Sequence, residues 1–215
     1  RRKETYATSG NRIRLHFFGG FDLQGLDLSS EQLRKEAYKI AVPMGSDLMA
    51  EEGKPPSFLI WALKDPLVAT SLQRLQIIKG WTDTSDGSTH EKIYDVACSD
   101  NLKVNLQTHR CPDNGAKVNL SDCSVSNLGA TELKTVWTDP EFNSKEDAFY
   151  YVRVLENPSC RWTAWDAVNN GRKPRADLNL ITQDRAWSSP IWYVPSSTST
   201  ADWIGNYDPA EDSSD

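Results

Sequence analysis

No stretch of the chain approaches the ~20 consecutive apolar residues that a helix needs to cross a bilayer; the longest apolar run, residues 58–63, has the length of a strand. Membrane insertion is therefore not expected. Basic residues are in deficit, with 24 Lys and Arg against 30 Asp and Glu and a net charge of −6. That balance argues against a surface built for polyanions, so nucleic acid is not expected as a partner. There is no Cys-x-x-Cys pair, which excludes zinc-ribbon and thioredoxin-type chemistry. No Gly-x-Ser-x-Gly elbow, P-loop or His-Glu-x-x-His appears either. Arg1-Arg2-Lys3-Glu4 has no initiator Met and no apolar core of a signal peptide, so the chain is expected to be a piece of something longer. Aliphatic residues are sparse, but eight Trp, seven Tyr and six Phe stand in for them. Each aromatic buries about 150–250 Å², and a chain of 215 residues should bury roughly 70% of its surface. Disorder of the whole chain is excluded, and one large domain, or a domain with an appendage, is expected.

Periodicity along the chain is mostly that of β-structure. Residues 11–18 alternate, with Ile13, Leu15 and Phe17 on one side, and stop at Gly19-Gly20. A helix is expected over about 29–42, opening with Ser29-Ser30 as N-cap candidates, carrying Leu33, Ala37, Tyr38 and Ala41, and closing before Pro43. The continuous apolar run at 57–63 reads as a strand covered on both faces. Further strands are expected at 72–81, 91–99, 132–138, 148–156 and 186–194, the last demoted to an edge or bulged strand by Pro190. Residues 162–168 form a second, short helical candidate. Connections without helices rule out a parallel βαβ architecture. The expected fold is mainly β, an antiparallel immunoglobulin-like β-sandwich with a helical insertion near the N-terminus and a long stapled loop. The Ser/Thr-rich and then acidic residues 196–215 form an expected tail.

Cys98, Cys111, Cys123 and Cys160 are disulfide candidates in a loop-rich, acidic chain. Four cysteines allow three pairings, among which the sequence does not choose. At least one bridge is expected to staple the weakly periodic segment between Cys98 and Cys123.

Candidate chemistry is thin. His90, Glu91 and Asp95 have metal-ligand character, yet on a strand residues 91 and 95 share one face and residue 90 takes the other. His109, Cys111 and Asp113 form a second such group, weakened by the expected disulfide. The segments around Asp83 and Gly87, and around Asp113 and Gly115, read as Asp-Gly turns rather than calcium loops. Trp162, Trp165 and Trp187 lie beside arginines, either packed internally by cation–π contact or exposed to stack on a sugar or another planar ligand.

Several long words carry a resemblance: Tyr6-Ala7-Thr8-Ser9-Gly10-Asn11-Arg12-Ile13, Phe58-Leu59-Ile60-Trp61-Ala62-Leu63-Lys64-Asp65-Pro66, His90-Glu91-Lys92-Ile93-Tyr94-Asp95-Val96-Ala97-Cys98 and Arg185-Ala186-Trp187-Ser188-Ser189-Pro190-Ile191-Trp192-Tyr193. Over roughly residues 1–195 the chain resembles the C-terminal part of a large bacterial family of unknown function, whose full-length members look like exported metal-dependent hydrolases of the PHP (polymerase and histidinol phosphatase) superfamily. The resemblance implies that a barrel carrying the His and Asp metal ligands precedes this region. No ligand motif of that barrel occurs here, so no metal ligand and no catalytic residue is assigned. It further implies that residues 1–10 are the remnant of a final barrel helix and its linker, that residues 11–195 are a sandwich packed on the barrel, and that the protein is exported. The expected function is a non-catalytic accessory domain of a metal-dependent phosphoesterase, with its divalent metal and main partner in the upstream barrel. Arg12, His16, His90 and Glu91 are then candidates for supporting the barrel's rim. A ligand-binding module using Trp162, Trp165 and Trp187, and a structural domain for homo-oligomerisation, are the two alternatives.

Overall fold

The computed structural model describes residues 3–51, 53–175 and 177–196. Its chain runs through β1 (Tyr6–Thr8), β2 (Arg14–Gly20), α1 (Leu33–Ile40), β3 (Ala41–Pro43), β4 (Asp47–Met49), β5 (Ser57–Leu63), β6 (Leu72–Thr82), β7 (Thr89–Cys98) and β8 (Glu132–Thr138). It continues through β9 (Ala148–Glu156), β10 (Ser159–Cys160), α2 (Trp162–Asn169), β11 (Ile181–Thr182), β12 (Arg185–Ser188) and β13 (Ile191–Val194).

Two sheets face each other. One is the antiparallel order β3-β2-β5-β8. The other is built on β9, which pairs with β6 on one side and with β12 and β13 on the other; β6 leads out to β7, β12 to β1 and β13 to β4. Ile13, Leu15 and Phe17 alternate along the first sheet as the sequence implies, and with Phe58 and Ile60 they meet Leu75, Ile77, Tyr150, Val152 and Val154 of the second in one buried core. The opposite phase of the first sheet, Phe18 and Leu59, is covered by Leu33 and Ala37 of α1 together with Leu23. That second layer explains why residues 57–63 are apolar without alternation: β5 has protein on both faces.

Four expectations change. The helical insertion is shorter than 29–42, because Ser29 and Ser30 are spent in turns closed by Asp27 and Ser30 side chains, and Ala41 already pairs in β3. Residues 6–8, expected as the end of a helix remnant and the start of its linker, form a strand whose ladder is supplied by the free side of β12, with Ala7 opposite Trp187. The expected strand at 186–194 is two strands in one lane beside β9, and neither lies at an edge, since β1 and β4 line them outside. Pro190 has no N–H to give to a ladder; the chain breaks there, and its carbonyl accepts the N–H of Gly45. Finally, β4 pairs with β13 in parallel, so the sheet is mixed rather than purely antiparallel. The expected tail is described only at residue 196; residues 197–215 lie outside the described residues, as do Arg1 and Arg2 of the expected barrel-helix remnant.

The four cysteines pair as Cys98–Cys111 and Cys123–Cys160. The first closes the long 99–131 connection back onto β7. There the Asp95 N–H donates to the His109 carbonyl and the edge of the sheet is covered, a standard protection for an otherwise open ladder. The second ties that connection to β10 and α2, around a small cluster of Cys123, Cys160 and Ala164.

Candidate functional site

Among the described residues the titratable side chains gather in several places, and the sheet ladder determines the first two. Along β6 the inward phase runs Leu75, Ile77, Lys79, Trp81, so a lysine occupies a core position. Lys79 Nζ lies 2.6 Å from Asp139 Oδ2, at the end of β8, with both side chains buried. Tyr150 donates its hydroxyl to the same carboxylate at 2.7 Å, and Lys79 also donates to the Glu141 carbonyl at 2.8 Å. Burial, and then the Asp139 charge, raise the Tyr150 hydroxyl well above its ordinary pKa. Glu141 takes the Tyr94 hydroxyl at 3.1 Å and the Lys92 ammonium. This group joins the two sheets across the core, and every charge in it has a partner. A buried carboxylate of this kind is tolerated only while it is paired and hydrogen-bonded.

The second group surrounds Asp95, on the outward phase of β7. Gln76 Nε2 donates to it at 2.6 Å, the Cys111 N–H at 2.7 Å and Arg74 Nη1 at 3.2 Å. The disulfide-closed loop therefore converts an exposed strand position into a buried, saturated one. Asp95 does not meet His90 and Glu91: His90 is opposite Trp81 in the ladder, where the two rings stack at 5.2 Å, and its Nε2 lies 2.8 Å from Ser88 Oγ. His109 packs edge-on against Tyr94 at 5.0 Å, and Cys111 is held in its disulfide. Asp83 and Asp113 each accept an N–H two residues ahead, from Ser85 and Gly115, as turn carboxylates do. Among the described residues, no three His, Cys, Asp or Glu side chains come together as a metal-sized group.

The rim candidates separate into two ends. His90 and Glu91 line a cleft of about 380 Å³ with Trp81, Phe149 and Trp192, at the row of the sheet containing Ala148. Arg12 lies at the other end of β9, next to Asn11, whose Nδ2 donates to Glu156. At ~3.3 Å per residue, Ala148 and Glu156 are about 26 Å apart along β9. His16 pairs with Trp61 across β2 and β5, ring centroids 5.3 Å apart. It opens into a cleft of about 570 Å³ where β1, β2 and α1 meet, with Tyr6, Arg34, Lys35 and Tyr38 around it. Burial and the neighbouring Arg34 charge hold its imidazole below the usual histidine pKa, against the opposing pull of Glu4. Arg12 lines a neighbouring cleft that shares Tyr6 and includes Asp65, a carboxylate held low by the N–H groups of Leu67 and Arg12, both at 2.9 Å.

Among the described residues, Glu156 is the one buried acid with an unmet oxygen. Its Oε1 has no hydrogen-bond partner among the described residues, and the Arg185 Nε is in the same condition. Burial pushes its carboxyl up to about 7, only partly offset by Asn11.

The three indoles also separate. Trp162 is 72% exposed and lines a cleft of about 490 Å³ beside α2; Trp165, 44% exposed, is on the same helix outside that lining. Trp187 is half-buried in β12, in register with Ala7 and Arg153. Lys79 was the group legible but unread in the sequence, since it falls on the core phase of β6. Asp95 and Glu156 carried no such signal, because their burial comes from distant segments.

A family profile described as "Protein of unknown function (DUF3604)" matches residues 1–195. No curated protein and no solved structure matches the chain. Among the described residues no helix is long and apolar enough to cross a membrane.

Proposed function

The chain belongs to the DUF3604 family of proteins of unknown function, and from that membership we propose that it is the non-catalytic C-terminal accessory domain of a metal-dependent hydrolase of the PHP type. The observation that carries the reading is how its acid–base groups are used. Lys79, Asp139, Tyr150, Asp95 and Arg74 are consumed in pairs that hold the sandwich together, and His90 is turned onto an indole. Among the described residues no group of side chains fits a divalent ion; the ion belongs to the upstream barrel in this proposal.

The cleft between β1, β2 and α1 supports a docking role. Tyr6 and Tyr38, 44% and 41% exposed, flank it beside Arg34 and Lys35. It adjoins Lys3, whose carbonyl packs so tightly on Gly45 that a Cβ there would lie 2.1 Å from it. The N-terminal segment thus leads directly to this face, which is where an upstream domain would rest. Two disulfides fit a protein that matures outside the reducing cytosol, and export follows as part of the proposal.

The test is an assay of this chain with Mn²⁺, Mg²⁺ or Zn²⁺ and nitrophenyl phosphate mono- and diesters. The expected result is no turnover above that of the metal alone. Metal-dependent hydrolysis lost in His90→Ala would overturn the proposal.

A further inference from the structure

Residues 159–182 fold as a small unit of their own: β10 pairs with β11, α2 follows β10, and Cys123–Cys160 fixes the unit to the 99–131 connection. α2 ends in a hydrogen-bond pattern that reverses the chain. Gly171 adopts a left-handed φ of 60°, its N–H donates to the Val168 carbonyl, and the Arg172 N–H donates to that of Ala167. This is the Schellman arrangement, and it returns Arg172 and Lys173 across the helix. They line one cleft with Arg161, Arg175, Asp166 and Trp162. Four cations and one carboxylate thus surround an exposed indole in a chain whose net charge is −6. Arg175 is paired with Asp177 at 2.6 Å; no ion pair is formed by Arg161, Arg172 or Lys173 among the described residues. Thr163, on the same wall, has a buried hydroxyl without a hydrogen-bond partner.

We propose that this cleft is a binding site for an acidic saccharide, a sugar carrying carboxylate or sulfate. The chemistry follows from the lining. Guanidinium forks match carboxylate and sulfate oxygens. One exposed indole face gives a flat apolar platform for the C–H face of a sugar ring. Asp166 would repel a ligand that is only anionic, but it accepts hydrogen bonds from hydroxyls. Nucleotides share the anion and the flat face, and their ribose hydroxyls also suit a carboxylate acceptor, so a nucleotide is the competitor that the test must separate from the saccharide. The proposal sharpens the sugar-stacking alternative drawn from the sequence, with Trp162 as its platform and without Trp165 or Trp187. It does not depend on the accessory-domain reading.

The experiment is a titration of intrinsic Trp fluorescence, repeated by calorimetry, at low ionic strength with trigalacturonate, galactotriose, uridine monophosphate and sodium sulfate. Saturable binding of trigalacturonate is expected, at least tenfold tighter than galactotriose or sulfate. Trp162→Ala and Arg172→Ala each weaken it tenfold or more with unchanged circular dichroism, and Trp162→Phe restores most of the affinity. Equal binding of the neutral trisaccharide, preference for the nucleotide, no binding of any probe, or indifference to Trp162→Ala would each overturn the proposal.

Discussion

At the scale of single residues, the molecule is held by polar groups in core positions. Lys79 and Asp139 lie inside the sandwich, and their attraction is worth having only while both are present. Lys79→Met leaves Asp139 buried with Tyr150 as its remaining side-chain donor. The expected loss is about 3–5 kcal/mol in urea unfolding, and Lys79→Met with Asp139→Asn recovers part of it because no bare charge remains. A loss below about 1 kcal/mol would mean that the pair is solvated. Glu156 works in the opposite sense. Its carboxyl lies at about 7 in the folded chain against an ordinary 4.5, so the folded state holds a proton that the unfolded state has released. Stability therefore falls as pH rises from about 4.5 to about 7 and levels off above. Glu156→Gln is expected to flatten that slope and to raise stability at pH 8 by on the order of 2 kcal/mol, read from melting curves across pH. An unchanged slope would place the unmet oxygen in contact with solvent. Lys79 shows what the sequence held at this scale: alternation along β6 marks its position as interior. Glu156 shows what it did not hold, because Asn11 and Asp184 reach it from segments far away in the chain.

At the scale of elements, strands with clear apolar periodicity were legible nearly to the residue, as β5, β8 and β9 are. Of the short strands, β1 and β4 were not, and β12 and β13 were legible only as one strand over 186–194. β1, β4, β12 and β13 owe their pairing to neighbours in the sheet rather than to any pattern of their own, and strand order depends on those long-range pairings. The stapled loop was legible as a loop, and its pairing was not. Chain-entropy arithmetic gives about 3 kcal/mol for closing the 13-residue Cys98–Cys111 link and about 4 kcal/mol for the 37-residue Cys123–Cys160 link. The two should also differ in where they act. Cys98→Ser with Cys111→Ser is expected to speed amide exchange along β7 and residues 105–111, whereas Cys123→Ser with Cys160→Ser speeds it in α2 and β10. Equal effects on all four segments would contradict this division. Gly171 is a narrower case: space is open around it, so only its left-handed φ opposes a side chain. Gly171→Ala is expected to cost about 1 kcal/mol in melting experiments and to loosen the α2 cleft before the sandwich.

At the scale of the whole molecule, the sandwich buries a few charges, Lys79 with Asp139 and Asp95 with Arg74, and carries two differently equipped surfaces, the basic indole cleft at α2 and the tyrosine-flanked cleft between β1, β2 and α1. Of the candidate residues that the sequence offered as one rim, His90 and Glu91 lie at one end of β9 and Arg12 at the other, while His16 lies within β2 of the facing sheet. Only Arg12 and His16 adjoin the face that the N-terminal segment reaches. Sequence alone could not divide them, since strand order decides which ends meet. Under the proposed function, this face receives a PHP-type barrel. The most direct measurement is hydrogen exchange of residues 14–16 and 33–40 in this chain alone and in a chain extended upstream through the barrel, each with and without Tyr38→Glu. At least tenfold slower exchange is expected at these amides in the extended protein, with loss of that protection in the variant. Identical exchange in the short and extended chains would contradict it.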